Sequence, residues 1–462
     1  MKPSAADIPS LQLPDNVVIG VLGHYGTENL GDEASIEALI SQIRQRLPAA
    51  RPAGFSMNPR DTAERFGIPA YPIRRGLSNQ RHSEQPPPAS AGMAGESTER
   101  GLRACLKSIP WLRAGVILVR QLLGAVTGCL GELRFLLRAF GHVRQLDLLV
   151  VAGSNQFLDN FGGAWGFPFT LLKWTLLARL SGVPVIFVGI GAGPLDRALS
   201  KRMICWALGL AAYVSFRDKA SQQLLEESGY RGKSWVYPDL AFGLPGALGS
   251  RGGLTADAMS LIGINPMPVY DKRYWFVHDV GLYQGYVDQL ATSAAQLMAD
   301  GHQIILFSTQ HRDELVIEDV MLALEARLDR SLNRAEMVRA PRSVKSLVDT
   351  LRQLDMAIAT RFHGVVLSLW AGLPTVSICY YRKQNDVMTD LGQGEMTLAF
   401  ENLDSGALLK CFRELSARRG IVRGDLATGV QGYRQALDNQ FDGLFGPVGS
   451  RQDVGMAHAQ WN

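Results

Sequence analysis

The stretch Asp355-Met-Ala-Ile-Ala-Thr-Arg-Phe-His-Gly-Val-Val-Leu-Ser-Leu-Trp-Ala-Gly-Leu-Pro-Thr-Val-Ser-Ile-Cys-Tyr-Tyr-Arg-Lys383 decides the fold class. It reads as a short apolar strand (Met356 to Ala359), a polar elbow (Thr360 to Gly364), an apolar helix (Val365 to Ala371) and a second apolar strand (Thr375 to Tyr380). Gly372 and Pro374 are stop signals between that helix and the strand after it. This is one β-α-β unit. In open α/β sheets, ligands bind beyond the carboxyl ends of the strands, where helix N-termini aim their amides at anions. Arg361 and His363 in the elbow therefore stand where an anion binds. The plainer reading pairs Arg361 with a neighbouring acid and lets His363 cap the helix. Tyr380, Tyr381, Arg382 and Lys383 close the next strand at the same sheet edge, which favours a site.

A second elbow lies near the N-terminus. The apolar strand Val17-Val18-Ile19-Gly20-Val21-Leu22 runs into Gly23-His24-Tyr25-Gly26-Thr27-Glu28-Asn29-Leu30-Gly31-Asp32-Glu33. Ile36, Leu39, Ile40 and Ile43 then recur at helical spacing. Glycines let backbone amides approach a ligand, so Gly26 and Gly31 suit an anion- or sugar-binding loop. The pattern is neither a dinucleotide fingerprint nor a P-loop. The plainer reading is a tight turn in which Asn29 and Asp32 cap the helix.

Between these units, strands and helices keep alternating. Leu146–Ala152 reads as a buried strand ending in an elbow, Gly153-Ser154-Asn155-Gln156-Phe157. Strands 184–190 and 213–216 follow, the latter ending in Arg217-Asp218, and Val236-Tyr237-Pro238-Asp239 closes this half. Residues 244–256 are rich in Gly, Pro and Ser and read as a hinge. A second half opens with Leu261-Ile262-Gly263-Ile264-Asn265-Pro266, and strand 303–308 runs into Thr309-Gln310-His311. The expected fold is α/β: two Rossmann-like domains facing a cleft, GT-B-like, over 16–245 and 256–400, with a helical tail over 401–462. A chain of 462 residues exceeds what one core usually serves.

Composition narrows the partners. Hydrophobic residues make up 47% and charged residues 19% of the chain, which fits large globular cores. A net charge of +4 is too small to call for nucleic acid. The five cysteines are scattered without metal-ligand spacing, which fits reduced thiols in a cytoplasmic protein. Met1 to Asp15 has no apolar core, so no secretory signal is expected. No run of 18 uncharged apolar residues calls for a spanning helix. The segment 74–144 stands apart. It begins with a Pro/Ala/Gly/Ser stretch that reads as partly disordered. It then turns apolar and basic, with 11 Lys or Arg against 4 Asp or Glu over its length. Two readings remain for it: a helical insertion packed on the first domain, or a surface in peripheral contact with the inner membrane.

With these pieces in order, the chain resembles the polysaccharide pyruvyl transferase family. The resemblance rests on Gly23-x-x-Gly26-x-x-Asn29-x-Gly31-Asp32-Glu33, Phe216-Arg217-Asp218, Pro238-Asp239, Gly263-Ile264-Asn265, and Arg361-x-His363 with Gly372-x-Pro374 and Tyr380/Tyr381-x-Lys383. It covers roughly 17–395 outside the insertion. Where the family often carries a run of glycines, this chain has Ala152-Gly153-Ser154-Asn155-Gln156.

The resemblance implies transfer of pyruvate from phosphoenolpyruvate to a sugar of a cell-surface polysaccharide or exopolysaccharide, or of its lipid-linked precursor, as a ketal. Such a donor carries a carboxylate and a phosphate, both of which arginine binds in bidentate fashion. By resemblance Arg217 and Arg361 hold the donor, with Lys383 as a third cation. His363 is the expected general acid. Asp32 is the candidate base, with Asp239 as its rival. Gly26, Asn29, Gly31, Asn155, Asp239 and Asn265 are candidates for loop or acceptor contacts. Trp165, Phe167, Tyr270, Tyr274 and Trp275 are candidates for stacking on sugar rings. No metal and no cofactor is expected. Two rival functions use the same architecture: a glycosyltransferase with a nucleotide-sugar donor, with Glu395 as its ribose-binding acid, and a non-catalytic partner in polysaccharide assembly.

Overall fold

A computed structural model describes residues 8–9, 11, 13–14, 16–75, 127–128, 130–160, 162–246, 260–275 and 277–449. Two parallel sheets organise it. The first has seven strands in the order β3-β2-β1-β4-β5-β6-β7, and the second has six in the order β10-β9-β8-β11-β12-β13. Counted within its own domain, the second repeats the 3-2-1-4-5-6 order of the first. Both are Rossmann-like windings whose direction reverses between the first and fourth strands. The expected pair of Rossmann-like domains across a cleft is borne out.

The strands read as apolar runs because helices cover both faces of each sheet. In the first domain these are β1 (Val18–Leu22), β4 (Leu148–Phe157), β5 (Val185–Ala192) and β6 (Tyr213–Phe216), nearly all buried. In the second they are β8 (Leu261–Asn265), β9 (Gln303–Phe307), β11 (Met356–Ala359) and β12 (Thr375–Cys379). One apolar cluster runs from beneath the helix Leu30–Arg46 into the whole second domain. Another fills the outer face of the first sheet, under the helices 130–143, Phe167–Leu180 and Ala198–Gly209.

Several short strands carry too little pattern to be read. Strand β2 (Arg51–Ser56) contains a proline and a glycine, while β3 (Ala70–Pro72), β7 (Trp235–Val236), β10 (Val338–Arg339) and β13 (Thr397–Ala399) have only two or three residues. Two elbows also differ from expectation. Strand β4 continues through Ser154, Asn155 and Gln156 to Phe157, with a register shift against β5 rather than a turn. The helix after β11 begins at Phe362, so His363 and Gly364 lie inside its first turn and only Thr360 and Arg361 form the elbow. Most of the insertion and of the hinge, residues 76–126 and 247–259, lies outside the described residues.

The last helix, Arg419–Phe445, straps the domains together. At its start Arg419 Nη1 donates to Ser260 Oγ at 2.9 Å in the second domain. At its end Gln440 Nε2 donates to Ser215 Oγ at 2.8 Å, and Asp442 Oδ1 accepts from Arg46 Nε at 2.8 Å in the first.

Candidate active site

Every charged site residue expected from sequence sits beyond the carboxyl end of a strand. The elbow 23–29 and Asp32 follow β1, Arg217 follows β6 and Asp239 follows β7. Across the cleft, Arg361 and His363 follow β11 and Lys383 follows β12. The first-domain elbow and Arg361/His363 flank the two points where strand order reverses, the crevice in which such sheets bind ligands.

The first elbow is a rigid structure. Asn29 caps the helix Leu30–Arg46: its Oδ1 accepts from Gly31 N–H at 3.3 Å, and its Nδ2 donates to Asp32 Oδ2 at 2.8 Å. Gly26 has φ +77°, and its N–H donates to Glu33 Oε1 at 2.8 Å. Glu33 is fully buried, and desolvation pushes its carboxyl up to about 7, against the opposing charge of Arg65. The elbow also reaches the other domain, where Leu30 N–H donates to Thr309 O at 2.9 Å. Gly31 is pressed against the catalytic candidate: a Cβ there would lie 2.2 Å from His363 Cγ. Its glycine is a condition for the two walls to meet.

On the second wall, Arg361 is buried and its Nε donates to Asp313 Oδ1 at 2.5 Å. Asp313 Oδ2 in turn accepts from the amides of Thr309 and Gln310, both at 3.0 Å. The plainer reading of Arg361 is thus part of the truth: an acid holds one edge of its guanidinium. Gln384 fixes the neighbouring loop, with its Nε2 donating to Thr360 O at 2.7 Å and its Oε1 accepting from Tyr380 N–H at 3.2 Å.

Phe362 is the platform between the walls. The Arg217 guanidinium lies 4.6 Å from its ring centroid and Lys383 Nζ lies 5.1 Å from it. Both cations are within cation–π reach of that ring. Arg217 also donates from Nη1 to Asp239 Oδ2 at 3.0 Å. Asp239 Oδ1 accepts from Ser35 Oγ at 3.2 Å and from Ala241 N–H at 3.0 Å. His363 Nε2 faces Asp239 Oδ2 at 3.7 Å, too far for a hydrogen bond but within ionic reach. Burial alone would raise the Asp239 carboxyl; His363, Arg217 and the Ala241 amide together hold it well below the usual carboxylate range. Lys383 moves the other way. Desolvation, then the charge of Arg217, bring its amine down to about 7, against the pull of Asp218, Asp32 and Asp239.

Arg217 Nε, Arg361 Nη2 and His363 Nε2 are buried and have no hydrogen-bond partner among the described residues. Buried polar groups are almost always paired, so each of these nitrogens is open to an acceptor. Lys383 adds a cation with no ion pair among the described residues.

A model of the family described as polysaccharide pyruvyl transferase matches residues 29–381. The chain belongs to the polysaccharide pyruvyl transferase family. The matched span opens at Asn29, the helix cap of the first elbow, and closes at Tyr381, two residues before Lys383. The amylovoran biosynthesis protein AmsJ of Erwinia amylovora is 21% identical over 294 residues, 58% of this chain and 65% of that protein. The match thus spans just under two thirds of that relative's length. Among solved structures, a UDP-N-acetylglucosamine 2-epimerase superposes with a TM-score of 0.51 at 9% identity, over 94% of this chain and 96% of that one. The UDP-GlcNAc 2-epimerase of Methanocaldococcus jannaschii gives 0.49 at 10% identity, over 86% and 91%. At such identity the likeness is one of fold.

In this family member some expected residues lie beside the cluster and others serve the frame. Asp32 is buried in the first wall with His24 Nδ1 at 3.7 Å from its Oδ2. Asn155 donates to Gly193 O at 2.8 Å and keeps a buried, unpaired Oδ1. Asn265, fully buried, donates to Phe307 O at 2.8 Å and ties the ends of β8 and β9 together. Tyr274 lies under Arg361, 5.8 Å from ring centroid to guanidinium, and Trp275 packs edge-on against Tyr380. Phe167 meets His24 edge-on at 5.0 Å, Trp165 meets Phe169 at 5.2 Å, and Tyr270 meets Phe400 at 5.8 Å. His311 is engaged by Glu314 and Arg342 instead. Glu395 is 86% exposed and faces Arg418 at 3.8 Å, on the surface rather than in the cleft. Among the described residues no cluster of His, Cys, Asp and Glu is arranged to hold a metal. The sequence reading missed Asp313, Phe362, Gln384 and Ser35. Asp313 was within reach of it, two residues after the strand-ending Thr309-Gln310-His311.

Proposed function

We propose that this chain transfers pyruvate from phosphoenolpyruvate to a sugar of an exopolysaccharide or its precursor, forming a ketal and releasing phosphate. One observation carries the reading: Arg217 Nε, Arg361 Nη2 and His363 Nε2 are buried without a hydrogen-bond partner among the described residues, and Lys383 shares the Phe362 ring with Arg217. A small ligand with a carboxylate and a phosphate matches four such groups. Family membership and likeness to an amylovoran biosynthesis protein support the acceptor class.

The residues divide the chemistry. His363 gives a proton to the methylene carbon, and C2 becomes electrophilic. One sugar hydroxyl forms a C–O bond at C2 and loses its proton. The C2–O bond to phosphate then breaks, a second hydroxyl forms the other C–O bond at C2, and its proton leaves with the phosphate. Arg217, Arg361 and Lys383 take up the charge of the leaving phosphate. Asp239 is a poor base, because Arg217 and its other partners hold its carboxylate far below neutrality. Asp32, with His24 beside it, is the better acceptor of the hydroxyl proton.

The test mixes purified chain, phosphoenolpyruvate and a panel of bacterial glycans, following inorganic phosphate together with sugar mass. The expected result is an acceptor-dependent gain of a pyruvyl group. Tight binding of nucleotide-sugars with no binding of phosphoenolpyruvate would overturn the proposal.

A further inference from the structure

The first domain has an outer face unlike the other surfaces among the described residues. Three helices, 130–143, Phe167–Leu180 and Ala198–Gly209, lie side by side over one face of its sheet. Their inner sides fill the second apolar cluster. Their outer sides should be polar, as on any surface helix. They are not. Of the thirteen large apolar side chains exposed among the described residues, eight belong to these helices or to the turn Gly163–Trp165 that leads into the second. Leu180 is 76% exposed, Trp165 69%, Leu137 63% and Trp206 61%.

The charge on the same helices is one-sided. They carry six Lys or Arg and a single acid, Glu132, whose Oε1 is taken up by Lys173 Nζ at 3.2 Å. Arg134, Arg138, Arg179 and Arg202 are exposed among the leucines. Leucine and tryptophan interleaved with arginine is the chemistry of a helix lying in a lipid interface. The apolar side chains enter the headgroup boundary while guanidinium groups hold anionic phosphates.

We infer that this three-helix face docks the chain on an anionic lipid bilayer. Charge complementarity selects the occupant: a second copy of the chain would set like charges against each other. The placement also serves the cleft. Phe167, the first residue of the middle helix, touches His24 of the first elbow, and Trp165 projects two residues before it. The docking face thus ends beside Asp32, and a membrane there borders the side of the cleft where the hydroxyl is activated. The expected membrane contact was sought in the segment 74–144. This face includes its last helix and draws the rest of its residues from 163–209.

The inference goes beyond the proposed reaction and does not depend on it. The test incubates the purified full chain with vesicles of phosphatidylcholine alone or mixed with phosphatidylglycerol, then measures co-sedimentation. Binding is expected only to the phosphatidylglycerol vesicles, and it weakens as salt rises. Arg134→Glu with Arg138→Glu should weaken it roughly tenfold or more, and Leu137→Glu or Trp206→Glu should do the same. Leu322→Glu, exposed in the second domain, should leave it unchanged. Thermal unfolding of each variant is measured alongside; Leu137→Gln replaces any glutamate variant that unfolds. Phosphate release with a water-soluble acceptor should be unaffected, which separates this test from that of the reaction. Equal binding to both vesicle types, or no loss in any variant, overturns the inference. A concentration-dependent dimer that Leu137→Glu abolishes, without vesicle binding, assigns the face to a second copy and overturns it too.

Discussion

The two domains share a strand order and differ in what they hold at their strand ends. The first wall is rich in acid: Asp32, Asp218 and Asp239, with Arg217 as the cation among them. The second offers Arg361, His363 and Lys383, with Asp313 set behind Arg361. The same winding thus sets a mostly acidic wall opposite a mostly cationic one. The two walls meet at Gly31 against His363, Arg217 over Phe362, His363 facing Asp239 and Leu30 N–H on Thr309 O. A ligand between the walls must match both at once.

This contrast is open to direct attack. The largest effect is expected from His363→Ala, which removes the proposed proton donor on the cationic wall. Acceptor-dependent phosphate release should fall roughly 10²–10⁴-fold with an unchanged circular dichroism spectrum; an active variant would break the assignment of roles. Next, Asp239→Asn leaves Arg217 buried without its carboxylate. Urea unfolding should show a loss of roughly 3–5 kcal/mol at neutral pH. Because the Asp239 carboxyl is held below its ordinary range, its contribution is present above that range and lost as pH falls, so the variant and parent should converge in acid.

Gly31→Ala tests the contact itself. Its Cβ would collide with the His363 ring, so one wall must move, and activity should drop on the order of 10²-fold. A variant with normal kcat and KM would show that the walls need not touch. Lys383→Arg sharpens the comparison by pH. The Lys383 amine titrates near 7, so it is a cation below that pH and loses its charge above it. KM for phosphoenolpyruvate should rise roughly tenfold in the parent as pH passes above 7, and the arginine variant should lose that rise. The smallest expected effect is Glu33→Gln in the frame of the first wall. With its carboxyl raised to about 7 from an ordinary 4.5, Glu33 contributes stability that is full below 4.5 and gone above about 7. Stability measured across that window should decline in the parent and stay flatter in the variant.

Much of the site was legible because its residues stand at strand ends, where apolar runs stop and polar groups begin. Arg217, Asp239, Arg361 and Lys383 were all found that way. Phe362 was hidden between two charged residues, and its use as a platform depends on Arg217, 145 positions away in the chain. Ser35 lies within a helix, and only packing aims it at Asp239. Strands such as β3 and β10 are too short to show a period at all.

The sequence by itself determined the α/β class, the two windings and the identity of the charges, because periodicity and strand-end chemistry are local. Tertiary structure alone decided which charges meet. It set Asp313 on Arg361, placed Arg217 and Lys383 around Phe362, and left Arg217 Nε, Arg361 Nη2 and His363 Nε2 buried and unpaired among the described residues. It also brought leucines from three separate helices onto one basic face. Burial and distance fix those relations, and neither is a property of any single stretch of chain.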